Sequence, residues 1–425
     1  MRTFVRLGVA AAAVAFSPIM AAPLAPARAD EAVKWLHVEV NSAQIAVWNG
    51  AARQFEATHP GVKVDPQYIE NEAYKAKLTT MLQSRDKPAM FYSWAGGVLR
   101  AQVDAGVLQD ITPQVKGYAD QLNPAAVGPF TVDGKVYGIP QTLTVVGFIY
   151  NKDLFRRAGV DGDKVKTWDD LLAAVKTLKA AGITPLTSGG ADKWPLALYY
   201  SALALREGGK DAIDAAMANR GGGFKAAPFV KAGADFKQLV DLQPFQAGML
   251  GTKYLPSVGL FADGKAAMSL VISTFYAQQK SIAADKKGLS DEQLGWIDFP
   301  NVAGGHGKPT DTLGGINGWV VSKGAPAATV DFIKSFVSPD VQSKLAAAGF
   351  IVPVVRSAEA AITNPFQRHF ADELDHSTYH QNFYDQLLGP SVGRTVNDAV
   401  AEIAGGSMTP DEAAAAIQAA WEQGN

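Results

Sequence analysis

Residues 134–156, GKVYGIPQTLTVVGFIYNKDLFR, with TWDDLLAAVKTL at 167–178, decide how this chain is organised. A turn at Gly134 leads into a short strand, which the Gly-Ile-Pro step at 138–140 breaks. A second apolar strand, Val145 to Tyr150, runs into an Asn-Lys-Asp turn. Thr167 is placed to cap the next helix, with Asp170 three residues on in a near capping box. A strand that leaves one sheet, passes a proline break and enters another is what a two-lobed, hinged protein requires.

Upstream, Trp35 to Val40 reads as a first strand, and residues 42–58 carry helical spacing with Ile45, Trp48, Ala52 and Phe55 on one face. Val62, Val64, Pro66 and Tyr68 alternate as a strand, and Tyr74, Leu78, Met81 and Leu82 mark a helix. A buried strand at Ala89 to Ser93 and a helix at Gly96 to Gly106 follow. Strands alternating with helices predict α/β layers around a largely parallel sheet, with ligand beyond the carboxyl ends of the strands. Downstream, residues 167 to about 290 are mostly helical, and LGGINGWVVSK at 313–323 is a second crossing strand. Ser338-Pro339 opens a later helix, and Thr409-Pro410-Asp411-Glu412 is a full capping box ahead of the last one.

The amino terminus reads as a secretion signal over residues 1–29. Arg2 and Arg6 supply charge, Leu7 to Ala22 is apolar, and Ala27-Arg28-Ala29 is a small-x-small cleavage site before Asp30. A membrane anchor is the alternative, against which Pro18, Pro23 and Pro26 interrupt a short apolar run. Cys 0 removes disulfides, thiol nucleophiles, thiolate metal sites and a lipid-anchoring cysteine together. Net charge is -2, from 39 Lys+Arg against 41 Asp+Glu, and becomes more negative once the leader arginines are lost. Neither that charge nor any basic run favours nucleic acid or an anionic membrane as partner. The length exceeds the usual single-core size, so two domains are expected.

Five patterns in order carry a family resemblance. They are the 134–178 segment, Phe55-x4-Pro60 before Val62-Lys63-Val64, Phe261-Ala262-Asp263-Gly264-Lys265-Ala266-Ala267-Met268, Gly314-Gly315 with Trp319, and Phe332-Ile333-Lys334. Together they resemble the extracellular solute-binding proteins of ABC importers, in the sugar-binding branch that includes maltose-binding protein. Trp94-Ala95-Gly96-Gly97 is similar to the Trp-Gly-Gly of raffinose-type and isomalto-oligosaccharide-type binders, whereas Ala89-Met90 replaces a common Pro-Asp-Val step. The resemblance implies an α/β, two-lobed periplasmic binding protein fold with a ligand cleft at the hinge. Lobe one would be 30–141 plus 315–355, and lobe two 142–314 plus 356–425. It also implies a carbohydrate ligand, a membrane permease as partner, a periplasmic location, a monomer and no cofactor.

Three other chemistries have partial signals in the sequence. Gly259 to Ala266 nearly spells a phosphate loop but lacks the hydroxyl that would hold Mg²⁺, and a turn into a strand is the better reading. His369, His376 and His380 lie among acidic residues, and His376 to His380 has the i, i+4 spacing of a helical zinc pair. A solvated helix is the plainer reading, no HExxH is present, and no metal is expected. A glycoside hydrolase would need two carboxylates flanking one bond. The acidic pairs Asp169-Asp170, Asp291-Glu292 and Asp411-Glu412 instead occupy helix starts and turns.

A sugar cleft pairs aromatic faces with polar side chains at strand ends and loops. Trp94 follows a strand and precedes Gly-Gly, and Trp194 lies in the loop 189–195. Asn41, Gln141 and Asn317 stand at strand ends or crossings, each equally able to cap a turn. The resemblance adds Tyr276, which follows a strand where related proteins place an aromatic facing the ligand. It also adds Asp385, similar in place to a cleft acid of the oligosaccharide binders. Trp48, Trp168, Trp296 and Trp421 fit helix faces or starts and are read as core.

Overall fold

The computed structural model describes residues 31–424. The expected leader 1–29 therefore lies outside the described residues. Two hydrophobic cores organise the rest. One draws on Val33 to Leu143 and Ile316 to Ala358, the other on Val146 to Leu313 and Phe383 to Trp421. A third, smaller cluster joins Val145 and Ile149 to Phe366 and Phe370.

The first core surrounds a six-stranded sheet in the spatial order 352–353, 138–143, 316–321, 90–94, 31–37, 62–68. Strands Glu31–His37, Val62–Tyr68 and Met90–Trp94 are parallel, as βαβ connections demand. The returning strand Ile316–Val321 runs against both of its neighbours. The second core holds a three-stranded sheet, 268–272, 146–151, 294–298, that is antiparallel throughout. The expectation of a largely parallel sheet therefore holds only for the first three strands. Hydrophobic alternation carries no information about strand direction, and the crossings reverse it.

Packing of the first core centres on Trp35, Trp48, Trp319 and Phe336, whose ring centroids lie 4.8 to 5.6 Å apart in tilted or edge-on arrangements. Of the tryptophans read as core, Trp48, Trp168 and Trp421 are buried and Trp296 is partly so. Capping sets the helix starts as the sequence proposed. Thr167 accepts from the Asp170 amide while the Asp170 carboxylate accepts from the Thr167 amide, and Thr409 and Glu412 do the same.

The chain passes between the lobes three times, the last between Ala358 and Phe383, and the first two crossings are laid side by side. The first passes from Gly138–Leu143 through Thr144 to Val146–Asn151. The second passes from Thr312–Gly314 through Gly315 to Ile316–Val321. Thr144 donates its amide to the Gly315 carbonyl at 3.0 Å, and the Gly315 amide donates to Thr144 Oγ1 at 2.8 Å. Both crossings are fully buried there and hydrogen-bonded to each other.

Candidate functional site

Between the two cores lies a cleft of about 290 Å³ lined from both sides. Its lining includes six residues singled out in the sequence: Asn41, Trp94, Gln141, Trp194, Asn317 and Asp385. Trp94 packs on the first core and Trp194 on the second, so the two indoles belong to opposite walls.

The floor is built where the first crossing meets the sheet. Asn317 pairs with Trp94 on one side and Thr142 on the other, while Gly318 pairs with Pro140. Gln141 is therefore the extra residue of a bulge, a device that re-aims a side chain out of the regular pleat. Gln141 Oε1 and Asn317 Oδ1 are buried and accept no hydrogen bond from the described residues. Buried acceptors without donors cost on the order of 1–3 kcal/mol each.

Asn41 caps the helix Ser42–Thr58, its Oδ1 accepting from the amides of Ala43 and Gln44 at 3.0 and 3.2 Å. Its amide nitrogen is what it has left for the cleft. Glu39 beside it is held by the amides of Val40 and Asn41 at 2.9 and 2.8 Å. Burial in the wall pushes its carboxyl above the ordinary value, opposed by those two N–H groups.

Trp94 stands edge-on to Tyr74 and Tyr92, with Lys75 Nζ 5.5 Å from its ring centroid. Lys75 also reaches Asp385 Oδ2 at 3.7 Å, across from Glu72 at 3.3 Å. Gln386 and Asn397 donate to the same Asp385 oxygen, at 2.9 and 3.4 Å. Among the described residues Oδ1 of Asp385 has no such contact, so the carboxylate is oriented by one oxygen and open at the other. On the opposite wall Trp194 tilts against Tyr254 at 4.7 Å. Asp192 fixes that pair by accepting the Tyr254 amide at 2.7 Å. Gly189 makes the approach possible, since a Cβ there would stand 2.5 Å from Tyr254 Cα.

Tyr276 is not part of this lining. It is buried in a stack on Phe366 with centroids 5.0 Å apart, and its hydroxyl donates to Asp291 at 2.6 Å and accepts from Lys280 at 3.2 Å. The helix Phe275–Ile282 turns it toward Pro365–Asp375, and Thr274, two residues earlier, lines the cleft instead. Sequence reasoning missed Glu39, Lys75, Asp192, Lys253, Tyr254 and Gln278, all of which border the cleft. Glu39 alone left a signal, lying at the end of the first strand beside Asn41.

Neither the phosphate-loop nor the helical zinc-pair arrangement is present at the residues that suggested it. Residues Tyr254–Ala262 form a helix that precedes Gly264, whereas a phosphate loop must precede its helix. His376 ends the helix Pro365–Asp375 with Nδ1 on the Asp372 carbonyl. His380 lies half-buried on the strand His380–Asn382, with Nδ1 2.8 Å from Thr312 Oγ1. The two imidazoles therefore do not share a helix face.

Two α/β lobes, a paired crossing and a cleft between them fit one family, and residues 41–343, more than half of the chain, match it as Bacterial extracellular solute-binding protein. The chain belongs to that family. An uncharacterised ABC transporter extracellular-binding protein of Pyrococcus horikoshii is 30% identical over 179 residues, 39% of this chain and 41% of that protein. The chain thus spans about two fifths of the length of that curated relative. A chitin oligosaccharide binding protein of known structure superposes with a TM-score of 0.83 at 25% identity, covering 93% of this chain and 99% of that one. A structure from work on xylan utilisation by Caldanaerobius polysaccharolyticus gives a TM-score of 0.84 at 24% identity, covering 91% and 99%. At that identity it establishes the shared fold. Among the described residues of this solute-binding protein, no helix is long and apolar enough to cross a membrane.

The open oxygen of Asp385 gives a direct test. Asp385→Asn keeps the shape and one acceptor but removes the charge, so affinity for a hydroxyl-bearing ligand of the cleft should fall by about 1.5–3 kcal/mol. The melting temperature should stay nearly constant, because the ion pair with Lys75 is long and such pairs contribute little. Parallel titration calorimetry and thermal melting read both quantities.

Proposed function

We propose that this solute-binding protein captures a carbohydrate, most simply a short oligosaccharide, in the cleft between its lobes. The closed complex would deliver the sugar to the permease of an ABC importer. The observation that carries this reading is the opposition of Trp94 and Trp194 on different walls above acceptors that the described residues leave unpartnered. Indole faces suit the C–H faces of pyranoses, and Gln141, Asn317 and Asp385 suit their hydroxyls. A cleft of this volume sits at the small end of small-molecule sites, which favours a few sugar units over a long polymer.

Binding would involve no covalent step and no cofactor. Sugar that touches both walls favours the closed arrangement by its differential affinity for closed over open. The protein would act as a monomer in the periplasm, with the ATPase on a separate chain. The likeness to a chitin oligosaccharide binding protein over nearly the whole chain supports the sugar class.

A thermal-shift screen against neutral mono- and oligosaccharides tests the proposal, followed by recovery of the ligand. The expected result is a rise in melting temperature with at least one sugar, about 2.7 kcal/mol of added stability at a hundredfold excess over Kd. The sugar should be recovered intact. Hydrolysis products formed at catalytic rates would turn the reading to a secreted glycoside hydrolase, and stabilisation by a polyol but no sugar would change the ligand class.

A further inference from the structure

We propose that Asp298, His369 and Glu373 form a binding site for a divalent transition-metal cation, zinc being the best match, outside the sugar cleft. His369 and Glu373 are four residues apart on the helix Pro365–Asp375 and so share a face. Asp298 ends the strand Leu294–Asp298. The edge-on contact of Trp296 with Phe370, centroids 4.7 Å apart, seats the helix against that strand and sets the three donors together. One donor atom from each residue lies within 4.8 Å of the others.

An ion pair alone accounts for only part of this arrangement. His369 Nε2 is 2.7 Å from Asp298 Oδ1, which satisfies those two half-exposed side chains. Glu373 is different. Its Oε2 is wholly buried, has no hydrogen-bond partner among the described residues, and lies 4.0 Å from His369 Nε2. Arg206 borders the same interior as Glu373 but donates to the carbonyls of Phe299, Lys308 and Asp311. The buried carboxyl oxygen of Glu373 therefore faces the imidazole of His369 at 4.0 Å, while Arg206 is engaged elsewhere.

One nitrogen and two carboxylate oxygens, with water as the fourth ligand, are a zinc donor set at bonds of about 2.0–2.2 Å. Tetrahedral bonds of that length hold donors about 3.3 Å apart, so the contact between His369 and Asp298 must widen. Both side chains are half exposed and have solvent to shift into, while Glu373 is the more enclosed member. The imidazole disfavours Mg²⁺ and Ca²⁺, which take oxygen ligands.

The experiment uses the full secreted chain without an affinity tag, stripped with chelator and titrated with zinc chloride by calorimetry and thermal melting. One zinc per chain and a raised melting temperature are expected, with no response to magnesium chloride. His369→Ala, Asp298→Asn and Glu373→Gln should each weaken zinc binding at least about tenfold. His376→Ala should leave it unchanged. Failure to bind zinc, or binding that survives the three variants or is lost with His376→Ala, overturns the proposal. Because Asp298 and His369 are half exposed, those two variants retain the fold even if Glu373→Gln does not. Sugar binding is read separately and bears on neither outcome.

Discussion

Gly314→Ala is expected to destabilise the protein by about 3 kcal/mol, the upper end for forcing an extra methyl into a packed site. A Cβ at Gly314 would stand 1.7 Å from the backbone oxygen of Thr144 and 2.7 Å from His380 Cε1. The first of these is main chain on the neighbouring crossing, so no side-chain rotation relieves it. Either the strand Thr312–Gly314 withdraws from His380–Asn382, or the hydrogen bonds between Thr144 and Gly315 open. Chemical denaturation followed by circular dichroism reads the loss. Gly251→Ala is the matched control, because a Cβ there meets nothing within 4 Å, and it should shift the midpoint little. Equal midpoints for both variants would mean that the crossings are not held as tightly as described.

Trp94→Ala is expected to lower affinity for the stabilising sugar by about 2 kcal/mol, roughly thirtyfold, as for aromatic anchors in desolvated sites. Trp194→Ala should act in the same direction from the opposite wall. Folding should survive either change, since neither indole is fully enclosed. Calorimetric titration alongside melting separates the two effects. Tyr276→Phe removes a hydroxyl that serves Asp291 and Lys280 outside the cleft, so it should cost some stability and leave affinity alone. Loss of affinity in Tyr276→Phe, with none in Trp94→Ala and Trp194→Ala, would move the binding surface to the other side of the helix Phe275–Ile282.

Much of the fold was legible because its signals are local. Thr167 with Asp170, Thr409 with Glu412 and Ser338 before Pro339 each act within one helical turn, and each caps the helix expected. Strand ends were legible for the same reason, which brought Asn41, Trp94 and Asn317 to one cleft. What escaped depends on partners far along the chain. The bulge at Gln141 exists only relative to Asn317 and Gly318. Asp192 matters because it holds the amide of Tyr254, and Lys75 because it meets Asp385. Tyr276 illustrates a smaller error of another kind. On a helix each residue turns by about 100°, so placing an aromatic after a strand does not fix the side it faces.

The place of Ile316–Val321 in the first sheet has a consequence for how the chain is made. That strand sits between Met90–Trp94 and Gly138–Leu143, so its two neighbours have no direct contact in the sheet. A nascent chain that has not yet reached residue 316 holds both neighbours with unpaired edges and lacks Trp319 at the centre of the aromatic cluster. Lobe one therefore cannot finish during synthesis of its own first half. It must wait, open, while the ribosome completes most of its companion, and the N-terminal segment stays available to chaperones for that whole interval.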